Sequence, residues 1–232
     1  REKNHFYIKE GIRKLFSHPS THIFMISFLI YALIGIYGTL AYDIADYEGL
    51  SRISQSFAAV FGRDPHLSAI GYIWPPLPAV SDIPFILLLH PFDLDILSGS
   101  LMSAFYAGFA MTQLDNILRR FSLEKKWRTV WMILFGIQPL VLHNASLGMS
   151  ETPFIGFLLF SFNGYLVWRQ EKKNHGIMIA AIGAWLAIYC RYEALAWTVA
   201  MAAGIAWIWL FERGKTSPEK LEAELLTYLV PP

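Results

Sequence analysis

From His22 to Tyr42 the chain runs without an Asp, Glu, Lys or Arg. In lipid the peptide groups of such a stretch find no outside partner, so they must bond within the segment, as a helix. Further apolar runs follow at 96–114, 129–147, 153–168, 176–190 and 194–211, the fourth and fifth of them short. Charged residues make up 16% of the chain, where a soluble domain carries roughly 25%. The expectation is an all-α, polytopic transmembrane bundle of about six spans. Residues 83–91 are apolar but too few to cross, and suit an interfacial or re-entrant segment. No internal repeat of fixed period is present. The one cysteine, Cys190, excludes a disulfide framework and a Cys-based zinc site.

Lys and Arg set the orientation. Sixteen of the 19 fall on one side if residues 1–21 are cytoplasmic. They are Arg1, Lys3, Lys9, Arg13 and Lys14, then Arg119, Arg120, Lys125, Lys126 and Arg128, then Arg169, Lys172 and Lys173, then Arg213, Lys215 and Lys220. Both ends are therefore expected in the cytoplasm. The basic flank at 1–21 is too long, and the span after it too complete, for a cleavable signal. Residues 22–211 form the transmembrane module. Residues 212–232 are a cytoplasmic tail or the start of a further span, and the chain is expected to be a fragment of a longer protein. Net charge of +1 selects no partner, and no nucleic-acid partner is expected. Arg52, Arg63 and Arg191 oppose the bias and draw attention to the outer side.

Three outer segments carry polar chemistry. The first, within outer loop 43–95, holds Asp43, Asp46, Glu48 and Ser51-Arg52. It continues through Arg63-Asp64-Pro65-His66 to Tyr72-Ile73-Trp74-Pro75-Pro76-Leu77. A long loop in a compact domain is usually functional or a linker. Apolar residues Leu50, Ile53, Phe57, Val60 and Phe61 recur at helical spacing with Arg52, Gln55 and Ser56 between them. That pattern predicts an amphipathic helix over 47–62, lying along the outer surface. The second segment is His143 to Glu151, and the third is Arg191-Tyr192-Glu193. In a bundle the three can converge on one outward cavity.

A carboxylate there can act as general base towards a hydroxyl. A guanidinium can clamp a phosphate through its planar fork. Together they suit group transfer from a phosphate-bearing lipid, the phosphate leaving. Two carboxylates and a histidine can also hold a divalent metal, although the spacing is diagnostic of none. Plainer roles are available to each residue. Asp43 and Asp46 can cap a helix, Asp64 before Pro65 suits a turn, Tyr72 and Trp74 fit an interfacial aromatic belt, and Glu193 can simply pair with Arg191.

The acid after span one, the Ser-Arg on the surface helix, Arg63-Asp64-Pro65-His66 and Pro75-Pro76-Leu77 resemble the C-type (GT-C) membrane glycosyltransferases. The resemblance is to bacterial members of the protein O-mannosyltransferase and aminoarabinose transferase group, and covers their N-terminal module over 22–211. It implies a polyprenyl-phosphate sugar as donor, an inverting reaction, and an active face outside the bacterial inner membrane. The acceptor, whether protein, lipid or glycan, is left open. An acid shortly before an arginine is the base in that family. Asp46 takes that place first, then Glu48, with Asp43 behind them. Arg52, Arg191 and Arg63 would hold the donor phosphate, supported by His66, Glu151, Glu193 and Trp74. Better-known members carry Glu-Lys before Pro-Pro-Leu, where Ile73-Trp74 stand here. That removes a phosphate contact and a metal ligand, so no cofactor is assigned. A non-catalytic scaffold of the same fold and a small-molecule or lipid transporter are the alternative readings.

Overall fold

The computed structural model describes residues 19–71, 73–211 and 217–230. The basic residues at 1–14, Tyr72, Arg213 and Lys215 lie outside the described residues. Among the described residues all regular structure is helical. In chain order the helices are α1 (Pro19–Tyr42), α2 (Tyr47–Phe61), α3 (Leu77–Leu89), α4 (Ser98–Arg120) and α5 (Lys125–Gly136). They continue with α6 (Pro139–Ser146), α7 (Glu151–Glu171), α8 (Asn174–Ile188), α9 (Ala194–Phe211) and α10 (Pro218–Leu229). Short 3-10 turns link α2 to α3 and α3 to α4.

Among the described residues two helices are long and apolar enough to cross a membrane, α1 and α9; there are three if α6 and α7, bent by 109° where they join, count as one span. The second expected span coincides with α4. That helix packs against α1 and α7 and buries Ser98, Ser100, Ser103, Gln113 and Asp115. Its polar groups are satisfied inside the bundle, which is why a lipid-like hydropathy is not needed along it. The fifth expected span appears as α8, whose 15 residues reach about 22 Å, short of the roughly 30 Å hydrocarbon core.

The third expected span, 129–147, is not one helix. It breaks between α5 and α6 at Gln138-Pro139. A proline disfavours the α conformation of the residue before it, and Gln138 is extended at φ −61°, ψ 130°. Two contacts make the break tolerable. Val141 N–H donates to Gln138 Oε1 at 3.2 Å, and Tyr31 OH donates to the carbonyl of Gly136 at 3.0 Å.

Small residues let the helices approach closely. A Cβ added to Gly164, Gly176 or Gly183 would meet backbone nitrogens of the facing helix at 2.4–2.6 Å, so α7 and α8 lie nearly backbone to backbone. Ser161 Oγ on α7 bridges the pair by donating to Ala180 O at 2.8 Å.

The two ends of the bundle differ in charge. Arg120 at the end of α4 donates to Asn163 Oδ1 and Glu171, and Arg128 of α5 lies 3.4 Å from Asp115. These residues share one end with the start of α1, since Thr112 Oγ1 reaches Ser20 O. The opposite end gathers α2, α3, the α6–α7 joint and the α8–α9 corner.

Candidate functional site

The predicted surface helix is present as α2, one residue short of expectation. Asp46 is its N-cap, with Oδ1 accepting from the Glu48 N–H at 2.8 Å. The packing face of α2 is not the apolar stripe the sequence suggested. Gly49, Arg52, Ser56 and Ala59 are the residues that α2 buries, at spacings of three and four. Arg52 is therefore 3% exposed rather than on a wet face. Its guanidinium donates to Pro75 O at 3.1 Å and to Glu48 Oε1 at 3.3 Å, and lies 5.9 Å from the centre of the Trp74 ring. Ser56 Oγ, one turn on, bonds to both Arg52 O and Ala79 O, which fastens α2 to α3.

The second segment meets this cluster at the α6–α7 joint. Glycines decide the approach. Gly148 has φ +77°, a conformation that favours glycine, and a Cβ on Gly49 would lie 2.1 Å from Leu147 O. The loop can therefore rest directly on α2, and Ser150 Oγ donates to Glu48 Oε1. On the other side of Ser150 stands Arg191, whose guanidinium approaches Ser150 Oγ at 3.4 Å. Arg191 also pairs with Glu151, and with Glu193 at 2.8 Å. The third segment is held in place by Leu77 N–H, which donates to Tyr189 O at 3.0 Å and so ties the start of α3 to the α8–α9 corner.

One network thus runs from Glu193 through Arg191, Ser150 and Glu48 to Arg52, Pro75 and Trp74. Asp46 flanks it, with Oδ2 facing His143 Nε2 at 3.8 Å. The hydrogen bond from Arg191 and the charge beside it hold Glu193 below the usual carboxylate range. Glu193, and the nearby charges of Glu151 and Glu48, push Arg191 further up. Both residues are firmly ionised at neutral pH. Glu151 keeps one buried oxygen, Oε2, without a partner among the described residues.

Not every predicted residue joins. Arg63 and the His66–Asp64 pair lie beyond the far end of α2. Eleven residues along a helix is about 16 Å, so Arg63 stands well away from Arg52. Among the described residues His66 Nδ1 meets its own turn, at the carbonyl and carboxylate of Asp64. Asp43 is exposed in the turn between α1 and α2, with φ 52°. Among the described residues no three His, Cys, Asp or Glu are disposed to hold a metal ion.

Two participants were not among the candidate site residues. Ser150 carries no charge to mark it within its segment, yet it joins Glu48 to Arg191. Asp82 of α3 is fully buried behind the network, with Oδ2 accepting from Ser98 Oγ at 3.0 Å and Oδ1 without a partner among the described residues. An acid inside an otherwise apolar segment was the available signal for it. Comparison of the chain with family models, with curated proteins and with solved structures finds no match in any of the three.

Proposed function

We propose that this chain is the membrane module of an inverting glycosyltransferase that moves a sugar from a polyprenyl-phosphate lipid to an acceptor hydroxyl at the outer face. The observation that supports it best is the network joining three loop segments: Glu48 and Ser150 are 102 residues apart, and Arg191 a further 41. Such long-range polar convergence at one end of an apolar bundle is costly to build and suits a site. Six crossings with cytoplasmic ends fit the same arrangement. The basic residues then gather at the inner face and the acid-rich network at the outer one.

In this reading Asp46 is the base. Glu48 is occupied by Ser150 and Arg52, whereas Asp46 spends one oxygen on its cap and keeps the other towards His143. Asp46 takes the proton of the acceptor hydroxyl as that oxygen attacks the anomeric carbon. The bond from that carbon to the phosphate oxygen breaks, and the polyprenyl phosphate leaves with the electron pair. Arg191 neutralises the leaving phosphate by exchanging exposed Glu193 for it while Glu151 keeps the guanidinium aligned. Arg52 is a positioning residue, because its donors are already committed to Pro75 and Glu48. Arg63 takes no part.

The test is binding of a polyprenyl-phosphate lipid to the detergent-purified chain, with Arg191→Ala and Arg63→Ala compared with wild type. Saturable binding that Arg191→Ala weakens about tenfold or more, the scale of one charge-assisted contact, and that Arg63→Ala leaves alone is the expected result. Binding indifferent to Arg191 would sink the donor-site assignment. A carrier is the second reading, because broken helices mark many transporter sites and α6 meets α7 at 109°. That bend lies beside the network at the bundle end, away from the middle of the helices, which favours the transferase. Substrate flux across proteoliposomes with no sugar transfer would reverse the preference.

A further inference from the structure

Asp82 is a buried acid for which the proposed transfer has no use. It lies inside α3, where α2, α3 and α4 meet, and is 0% exposed. Ala79 and Ile86, about one turn to either side on α3, are fully buried too, as are Ser98 at the start of α4 and Ser56 of α2. The two carboxylate oxygens are treated unequally. Oδ2 accepts from Ser98 Oγ at 3.0 Å, whereas Oδ1 has no partner among the described residues. Gly71 borders open space and Ile73 is 86% exposed, so those residues ahead of α3 lie at the surface. Asp82 stands five residues inside the helix, about 7.5 Å further along.

None of the three helices directs a cation at it. Asp82 is the one charged residue of α3, and α4 carries none before Asp115. On α2 the guanidinium of Arg52 is turned to Pro75 O and Glu48. Oxygens at this junction also outnumber the hydrogens that can reach them. Ser98 and Ser56 supply one hydroxyl hydrogen each. Ser56 Oγ lies 2.8 Å from Ala79 O and 2.9 Å from Arg52 O, and serves one of them at a time. Burial raises Asp82 to about 6, and the hydroxyls of Ser98 and Ser56 oppose that rise, so the carboxyl is mostly ionised at neutral pH. A buried carboxylate is costly unless it is paired or holds a metal ion.

We propose that this junction binds a sodium ion. Asp82 Oδ1, the lone pairs of Ser56 and Ser98 Oγ and the Ala79 carbonyl hold it, and the ion pins α2 and α4 to α3. A donor set made wholly of oxygen suits a hard cation. One carboxylate balances a single charge, whereas a divalent ion would leave positive charge buried. Packing by fully buried side chains favours sodium over the larger potassium ion. The site does not depend on the sugar-transfer reading, because the ion's effect on stability is measurable without any transfer.

Thermal melts of the detergent-purified protein in sodium, potassium or choline chloride at one ionic strength test it. Sodium should raise the melting temperature saturably, by about 3 °C or more over choline at about pH 8. At about pH 5, where a proton already neutralises the carboxyl, the gain should fall to about a third of that or less. Asp82→Asn keeps an acceptor for Ser98, so the packing survives, and the sodium gain should vanish. Ser98→Ala should raise the half-saturating sodium concentration about fivefold, the weight of one polar contact. Asp43→Asn, at an exposed acid, should keep the full gain. An equal gain in potassium, a gain that survives Asp82→Asn or does not change with pH, or no gain at all would overturn the proposal.

Discussion

Two buried acids, Asp115 and Asp82, sit near opposite ends of the bundle and are treated in opposite ways. Asp115 lies against two arginines, Arg119 at 2.5 Å and Arg128 at 3.4 Å. Among the described residues Asp82 has no cation paired with it, and its one hydrogen bond comes from the Ser98 hydroxyl. The pattern extends to their surroundings. At the Asp115 end, cations outnumber acids and most pairs link a helix to itself or to its neighbour: Arg119–Asp115, Arg120–Glu171, Lys173–Glu171. At the Asp82 end, Asp46, Glu48, Glu151 and Glu193 outnumber Arg52 and Arg191; beside the local Arg52–Glu48 and Arg191–Glu193 pairs, Arg191–Glu151 reaches 40 residues along the chain and Ser150–Glu48 reaches 102. Neutralised pairs fix helix ends. An excess of acid at one end, with Glu151 Oε2 unpartnered among the described residues, is what the proposed transfer site draws on.

The comparison is broken most severely by Asp46→Asn, if the outer end is catalytic. Asn still caps α2, so the fold should persist. Sugar transfer by the full-length protein should fall about 10²–10⁴-fold, the usual weight of a general base. A matched Arg119→Ala change at the other end should leave the rate unaltered. Equal losses from both would mean that the outer acids serve stability alone.

The unpaired acid gives a pH signature. Burial raises Asp82 to about 6 from 3.8, so the folded protein holds its proton more tightly than the unfolded chain does. The contribution of Asp82 to stability should be greatest below about pH 4 and fall through the window up to pH 6. Above that it should be lower by up to about 3 kcal/mol, since each tenfold change in proton affinity is worth about 1.4 kcal/mol. Thermal melts in detergent should show Asp82→Asn gaining on wild type as pH rises from 4 to 8. A constant difference across that range would refute the unpaired-acid account.

Gly49→Ala probes how the network at the Asp82 end is assembled rather than what it does. Its methyl would collide with Leu147 O, and overpacking of this kind costs about 1–3 kcal/mol. The melting temperature should drop, and donor binding should weaken with it as Ser150 is pushed from Glu48. Smallest of all is Glu171→Gln at the basic end. Glu171 is held down to about 2 by Lys173 and Arg120, but it is well solvated, and water and salt screen such a surface pair until it contributes little. A melting shift too small to resolve, with donor binding unchanged, is the expected outcome.

The amino-acid sequence by itself determined the chemistry of the elements. Runs of apolar residues long enough to bury their own peptide hydrogen bonds had to be helices, and α1, α2, α4, α8 and α9 stand close to where the pattern puts them. The polar segments at the Asp82 end were legible for the same reason, since ionisable residues between apolar runs tend to lie at the ends. Tertiary structure decided what those residues touch. Arg52 turned inward because Ser56 and Ala59 fit α2 against α3 while Gly49 lets the Leu147–Gly148 loop approach the same narrow face, a choice periodicity could not reveal. Ser150 became the link between Glu48 and Arg191 because glycines at 49 and 148 let two backbones meet, and contact between residues about a hundred positions apart is written in no local pattern. The break at Gln138-Pro139 was missed by reading 129–147 as one span, although the proline was the signal for it. Its tolerance rests on the hydroxyl of Tyr31, supplied by another helix.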